Sequence, residues 1–556
     1  MFAELPQCGC TLAYLASKSI HRYSFAFVSK KVLSVTYIKG ENFDKTEMTI
    51  SAIYKYADGT SYGLPVENYQ ITNGTNLQEG TIEIVIRYEE GGIEKETKQV
   101  VTVTNNITGI TVTTIPNKTT YNHGETFDKT GMVVTLNYQN TNDNRELQES
   151  EYTVSTPTYG ENYVTITHTE TGMTTQQAVT VNRVIASIEV ETPPTKTIYQ
   201  YEDTIDTAGM VIKVTYTDGG TENIQSGYTV EGTTTTYGKS NVTITYQGMT
   251  ATQEIVVAYP TDGRYYAAKG VNSPLLAEGM TAVYWNGTTE VTSANPGIDE
   301  NFDYNSWYNY EAQTGATTSG GTSKWANAKT ADGSYWVWIP RYAYSITSGY
   351  HTSTAGTIDI EFLQNKSSTS TVTDRTFVET LGNGYWHVHP AFYYDGTSTT
   401  GTQLAGIWVA KYEMSMETSG AATTTSSADI GNKSVVDNTN IKAVSKPGVT
   451  AWRYINRNNI FINALNYDTT SVSNANLDSH LMKNSEWGAV AYLAHSKYGR
   501  NATEITINAN SSYYTAGGSA ATAHTNVLQS TTGNCYGIFD ISGCSWEHMA
   551  AYMDGA

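Results

Sequence analysis

Cysteine is scarce in this chain of 556 residues: four in all, with Cys8 and Cys10 near one end and Cys535 and Cys544 near the other. That excludes a disulfide framework for everything between the two pairs. Cys535 and Cys544 could bridge each other in an oxidising compartment, or remain two half-buried thiols. Charge is scarce too, at 15% of residues, and leans acidic to a formal −20. Nucleic acid is thereby excluded as a partner, because phosphate binding needs clustered Lys and Arg. No apolar run approaches the ~18 residues of a membrane span, so membrane insertion is not expected. Residues 1–34 lack a basic leader followed by an apolar run, and read as an irregular segment rather than a signal peptide.

What the chain has in quantity is tyrosine (42), glycine (47) and threonine, a balance that favours turn-rich β structure over helix. The length allows about three to five domains, each with a core of its own. Acidic, lysine-poor composition of this kind points outside the bacterial cell.

The chain repeats itself between residues 35 and 259. KGENFDKTEM (Lys39–Met48) recurs as HGETFDKTGM (His123–Met132) and as YEDTIDTAGM (Tyr201–Met210), at intervals of roughly eighty residues. Each copy continues into an alternating strand, a tyrosine (Tyr69, Tyr152, Tyr228), and two more strands such as Tyr163–His168 and Asn241–Tyr246. Alternation with period two means one buried face and one wet face. Short strands separated by YTDGG-type turns make a β-sandwich, here at 35–105, 106–183 and 184–259, with the opening strand of the first incomplete. Asp44, Asp128 and Asp206 recur in place, and are expected to cap the turn before the Met-containing strand. Met48, Met132 and Met210 read as core.

The G-E-x-F-D-x-x-x-M pattern and the strands after it resemble bacterial immunoglobulin-like domains of group 3. The resemblance implies a spacer or adhesive module of bacterial surface or phage structural proteins.

Beyond a proline-bounded break, composition shifts: all ten tryptophans lie at or after Trp285. Residues 260–330 read as a linker and aromatic entry segment, and 331–556 as one aromatic-rich domain. Asp299-x-Asn301-x-Asp303 has calcium-loop oxygen spacing, but Tyr304 and Tyr310 replace the glycine and the bidentate acid, so a solvated loop is expected. His387-x-His389 has no third ligand at metal spacing and reads as a packed or solvent-facing pair. Ser485 is a candidate cap for a helix with an apolar face of Trp487, Val490, Ala491 and Ala494.

Five blocks then follow in order: YWVWIPRYAY (Tyr335–Tyr344), GIWVAKYEMS (Gly406–Ser415), SKPGVTAW (Ser445–Trp452), HLMKNSEWGAVAYLA (His480–Ala494) and GIFDISGCSWEH within Ser530–Met549. Together they resemble the formylglycine-generating-enzyme (sulfatase-modifying factor) version of the C-type lectin fold. They are also similar to gut Firmicutes surface and prophage proteins. His480 stands where that family has Arg, and Cys544 where it has Asn. The resemblance implies a calcium held by the backbone of Gly543 and Ser545 and the carboxylate of Glu547. The other reading has Glu547 capping a turn and Trp546 packed in the core. The family's two catalytic cysteines lie beyond a G-G-S-W segment that does not occur before Ala556, so this domain is expected to be cut short and its end poorly packed.

The expected fold is thus mostly β and multidomain: three tandem Ig-like sandwiches, then an α+β lectin-like head. The expected function is extracellular adhesion, a stalk presenting the head to a glycan or protein, on a bacterial surface or phage virion. The alternative is a cysteine oxidase of the formylglycine-generating type. A catalytic residue is not expected, nor any cofactor besides calcium.

Overall fold

The computed structural model describes residues 35–550 except 47, 56–58, 316–320, 355, 368–381, 395–402, 419–420, 423–438, 440–441, 471–476, 502 and 519–525. Expectations for residues 1–34, for Cys8 and Cys10, and for the last six residues lie outside them. The described residues form two compact units. One runs to Glu191 and adds Val211–Gly227 and Tyr246–Thr250; the other takes Thr192–Met210, Tyr228–Thr245 and everything from Ala251. The protein is mostly β and multidomain.

In the first unit, repeat two is a sandwich. One sheet pairs Ile107–Thr114, Val133–Tyr138 and Arg145–Glu146; the other pairs Tyr152–Val154, Tyr163–His168 and Thr174–Ala178. A single core joins them, with Ile110, Val134 and Leu136 from one sheet meeting Tyr152, Val164 and Ile166 from the other. The period-two pattern explains this, because Val164 and Ile166 point inward and are fully buried while their threonine neighbours face out. Met132 is buried beside them and Met48 packs on the matching core of repeat one, as the sequence suggests. Thr36–Ile38 forms a strand in repeat one, parallel to Ile93–Thr104, just as Thr120–Asn122 runs parallel to Thr180–Asn182 in repeat two. The counterpart of Ile107–Thr114 would precede residue 35, outside the described residues.

The recurrent aspartates cap turns. Asp44, Asp128 and Asp206 accept from the amides of Thr46, Thr130 and Ala208 at 2.8, 2.9 and 2.9 Å. Hydrogen bonds from the Thr46 and Thr130 side chains and amides hold the Asp44 and Asp128 carboxyls below the usual range. A second element goes unnoticed in the sequence: Tyr37, Tyr121 and Tyr199 each accept from the backbone N–H of that aspartate at 3.1–3.3 Å. Tyr121 and Tyr199 also donate to its carbonyl. Neighbouring repeats are joined by polar contacts. Asn105 and Lys39 meet Asp143 at 2.7 and 2.8 Å; Arg183 pairs with Asp218 at 2.8 Å and lies on the Tyr216 ring at 3.7 Å.

Repeat three is divided between the units. Ile185–Thr192, Val211–Tyr216 and Thr221–Ile224 form a sheet in the first; Ile198–Tyr199, Met249–Val257, Gly238–Tyr246 and Thr229–Glu231 form a sheet that belongs, but for its Tyr246–Thr250 end, to the second.

The head in the second unit is built on a five-stranded antiparallel sheet ordered Thr289–Ser293, Thr281–Asn286, Asn327–Lys329, Tyr335–Pro340, Gly406–Ala410. The expected boundary at 330 falls inside this sheet, so 260–330 is no linker: Asn327–Lys329 is hydrogen-bonded to Tyr335–Pro340. Trp307, Trp325 and Trp338 are fully buried in its core. A three-stranded sheet (Thr357–Phe362, Tyr342–Ser348, Trp386–Val388) meets the helix Asn484–His495, where the Tyr342 hydroxyl donates to the Ala489 carbonyl at 2.6 Å.

That helix differs from expectation. Lys483, not Ser485, is its N-cap, and Glu486 reaches back to the Lys483 amide at 2.8 Å. Its buried face is Glu486, Ala489, Val490, Leu493 and Ala494, so Trp487 and Ala491 lie on the flanks. Asp299 and Asp303 spend their carboxylates on local turns: Asp299 accepts from Ser293 and Asn301, and Asp303 caps the short helix Tyr304–Trp307. His387 and His389 are buried among aromatic rings, His389 against Tyr342, Tyr344, Phe392 and Tyr492. Burial pulls the His389 imidazole down to about 3, which keeps it neutral.

Candidate functional site

The stretch Ser530–Ala550 is an irregular loop held by side chains that come from far away in the chain. Arg500 donates to the carbonyls of Ser530 (2.9 Å), Val527 (3.1 Å) and Leu528 (2.5 Å). Asn534 donates to Gly321 and Ser323, both at 2.6 Å, and its own oxygen accepts from the Tyr536 amide. Lys411, at the end of the strand Gly406–Ala410, is fully buried and donates to the carbonyls of Cys535 (2.6 Å) and Gly537 (2.8 Å). The rings of Trp285, Tyr412 and Phe539 surround its ammonium at 5.2–5.9 Å. Buried carbonyls need donors, and a loop whose backbone pairings are isolated bridges takes several of them from these three residues.

Past Asp540 the loop turns outward through two left-handed non-glycine residues, Asp540 (φ 64°) and Cys544 (φ 59°). Such backbone costs about 1–3 kcal/mol per residue and persists only where the surroundings impose it. Three carboxyls, Glu413, Asp540 and Glu547, lie on or beside this turn. Burial, then the charges of Asp540 and Glu547, push Glu413 up to about 9; Asp540 rises to about 6 by burial against its bonds from Ala516 and Asn508. Lost hydration and the Asp540 charge raise Glu547 to about 7, although much of that residue's surface is open.

The three residues expected at a calcium lie on this turn. Gly543 (φ 97°) sits against the backbone of Asn508, the Ser545 amide donates to Glu413 at 3.2 Å, and Glu547 accepts from the Trp487 indole at 3.0 Å. Among the described residues, the partner of the Glu547 carboxylate is thus a side chain sixty residues away rather than a neighbouring amide. Among the described residues no three His, Cys, Asp or Glu side chains are grouped to hold a metal, so a calcium would rest mainly on carbonyls. Trp546, expected in the core, is 97% exposed. The plug in this loop is Phe539, packed on Tyr412 at 5.1 Å. Cys535 and Cys544 are free thiols, not a bridge, and burial holds both above the ordinary thiol range.

His480 is the partner of Glu486, with Nε2 3.0 Å from the carboxylate. The Glu486 hydrogen bond raises the imidazole; burial would raise Glu486, but His480 and the Lys483 amide outweigh it and the carboxyl is lowered. For a raised histidine the stabilisation is complete below its unfolded value of about 6.5 and is lost as pH climbs through the folded value. For the lowered Glu486 it is present above about 4.3 and lost on acidification. The melting temperature of the head should therefore decline on the alkaline side of His480, and His480→Gln should remove that decline in a pH series of thermal melts. An unchanged alkaline limb in the variant would assign it to other groups.

The family model for bacterial Ig-like domains (group 3) matches residues 114–181 and 192–257, so two tandem domains of that kind are present. Among curated proteins, pectate lyase L of Thermoclostridium stercorarium is 28% identical over 285 residues, covering 46% of this chain and 22% of that enzyme. The match thus spans about a fifth of that relative. Among solved structures, domains 4–9 of the surface layer protein SbsC are 12% identical, covering 73% of this chain and 83% of that one at a TM-score of 0.13. A longer SbsC structure is 13% identical, with coverages of 63% and 51% and a TM-score of 0.16.

Proposed function

We propose that tandem bacterial Ig-like domains serve here as the stalk of an extracellular surface protein, and that the head, of lectin-like fold, binds a glycan or protein through the Trp546 turn. The observation that carries this reading is an indole 97% exposed on a loop whose base is immobilised by Lys411, Arg500 and Asn534. An exposed indole on a rigid support suits stacking on a sugar face, or anchoring a protein contact, with little ordering cost on binding. The raised thiols of Cys535 and Cys544 favour this over thiolate chemistry, which needs a depressed pKa. Calcium belongs to the same reading as a cation on the Gly543 and Ser545 carbonyls and the Glu547 carboxylate, which lie on this one turn.

The full chain should bind in glycan-array and cell-binding assays, and Trp546→Ala should weaken that binding roughly 30-fold, the size of a hot-spot loss. The variant should melt like the parent, because the side chain packs on little. Binding unaffected by Trp546→Ala would refute this site, and binding that survives chelation would remove calcium from it.

A further inference from the structure

Tyrosines run in contact from the last Ig-like repeat into the head. Tyr201 stacks on Tyr237 at 5.0 Å, Tyr237 on Tyr259 at 5.5 Å, and Tyr259 on Tyr304 at 4.5 Å with planes 14° apart. Tyr266 meets the edges of Tyr237, Tyr259 and Tyr304 at 5.1–6.3 Å. Tyr304 in turn donates to the Pro260 carbonyl and touches Trp307 at 5.7 Å, inside the head's core. Tyr237 and Tyr259 are thus packed against that core although they belong to the repeat and its exit.

Polar contacts follow the same line. Lys239 on the strand Gly238–Tyr246 bonds Glu254 at 3.1 Å and also pairs with Glu300 of the head. The Tyr259 amide donates to the Gly297 carbonyl at 3.0 Å, and the approach is so close that a Cβ on Gly297 would lie 2.5 Å from the Tyr259 carbonyl oxygen. The junctions between repeats one, two and three differ in kind. They rest on polar contacts, the Lys39–Asp143 and Arg183–Asp218 pairs, the Asn105 hydrogen bonds and Arg183 on the Tyr216 ring, with no run of stacked aromatic rings among the described residues.

We infer that the head carries a docking surface, centred on Tyr266, Tyr304 and Gly297, whose occupant is this chain's own third repeat: the sheet of Thr229–Glu231, Gly238–Tyr246 and Met249–Val257 folds and unfolds with the head. Contiguous aromatic packing across a junction makes both sides share one core, and elements that share a core open together.

The test uses the full chain. Tryptophan fluorescence reports the head alone, since all ten tryptophans lie at or after Trp285. Hydrogen exchange in rising denaturant reports the strands. In the native sequence, amides of Gly238–Tyr246 should open at the midpoint of the tryptophan transition, and those of Tyr163–His168 at another. Tyr237→Ala should lower the denaturant midpoints of the tryptophan signal and of Gly238–Tyr246 opening by the same amount, with the fluorescence melt roughly 5–10 °C lower, whereas Tyr237→Phe should change neither. The inference is overturned if Gly238–Tyr246 opens apart from the tryptophan signal, or if Tyr237→Ala moves that strand alone. It is equally overturned if Tyr163–His168 joins the same transition. Should Tyr237→Ala fail to fold, the native-sequence comparison decides by itself.

Discussion

Lys411→Ala should lower the melting temperature of the head by roughly 10 °C, followed by tryptophan fluorescence. The substitution strands the buried carbonyls of Cys535 and Gly537 and opens a void among Trp285, Tyr412 and Phe539. An unsatisfied buried group costs about 1–3 kcal/mol and a large-to-small change in a core about 2–5 kcal/mol, so a loss of about 4 kcal/mol is expected. Lys411→Met keeps the volume and should lose about half of that. The pH dependence separates charge from packing. Burial pulls the Lys411 amine down to about 7, while an unfolded lysine holds its proton to about 10.4. Between those values the unfolded chain binds more protons, so this group's contribution to stability rises with pH across that window. Lys411→Met should abolish that rise, and a variant that retained it would clear Lys411 of the role. If Lys411→Ala melted within ~2 °C of the parent, the loop would have to be held by Arg500 and Asn534 alone.

Gly543→Ala should cost about 4 kcal/mol, from two sources that a control separates. At φ 97° any side chain is strained, and here the added Cβ would lie 2.5 Å from both N and O of Asn508. The backbone cannot yield, because the Asn508 amide is bonded to the Ser542 carbonyl at 2.8 Å and the Asn508 carbonyl to the Cys544 amide at 2.7 Å. Gly279, in the same head, has φ 82° and open space where its Cβ would go. Gly279→Ala should therefore show the strain alone, about 1 kcal/mol. Denaturant melts of the two variants give the comparison, and equal losses would mean that the Asn508 contact contributes nothing.

The sandwich repeats are legible in the sequence because their physics is local. Alternation such as Val164-Thr165-Ile166 encodes which face is buried, and an aspartate two residues before its amide partner encodes a turn. The head is less legible because its pairings are not local. Asn327–Lys329 reads as linker until it is seen bonded to Tyr335–Pro340, and nothing around Lys411 announces carbonyl partners more than a hundred residues later. The one available signal is a lone lysine inside the apolar run Ile407–Tyr412, where a charge without partners would not be tolerated. Trp546 shows the opposite error. A tryptophan beside Gly, Cys and Glu in a motif-like loop invites placement in the core, yet Phe539 already occupies that position and the indole faces solvent.

The tyrosine–aspartate contact in each repeat is made to main-chain atoms, N–H and, in the second and third repeats, C=O as well. It therefore imposes almost no demand on neighbouring side chains. Gly-Glu-Thr-Phe at residues 124–127 can become Glu-Asp-Thr-Ile at 202–205 with the clamp intact. A repeat built this way can change the side chains around the clamp by mutation while the turn itself keeps its backbone geometry.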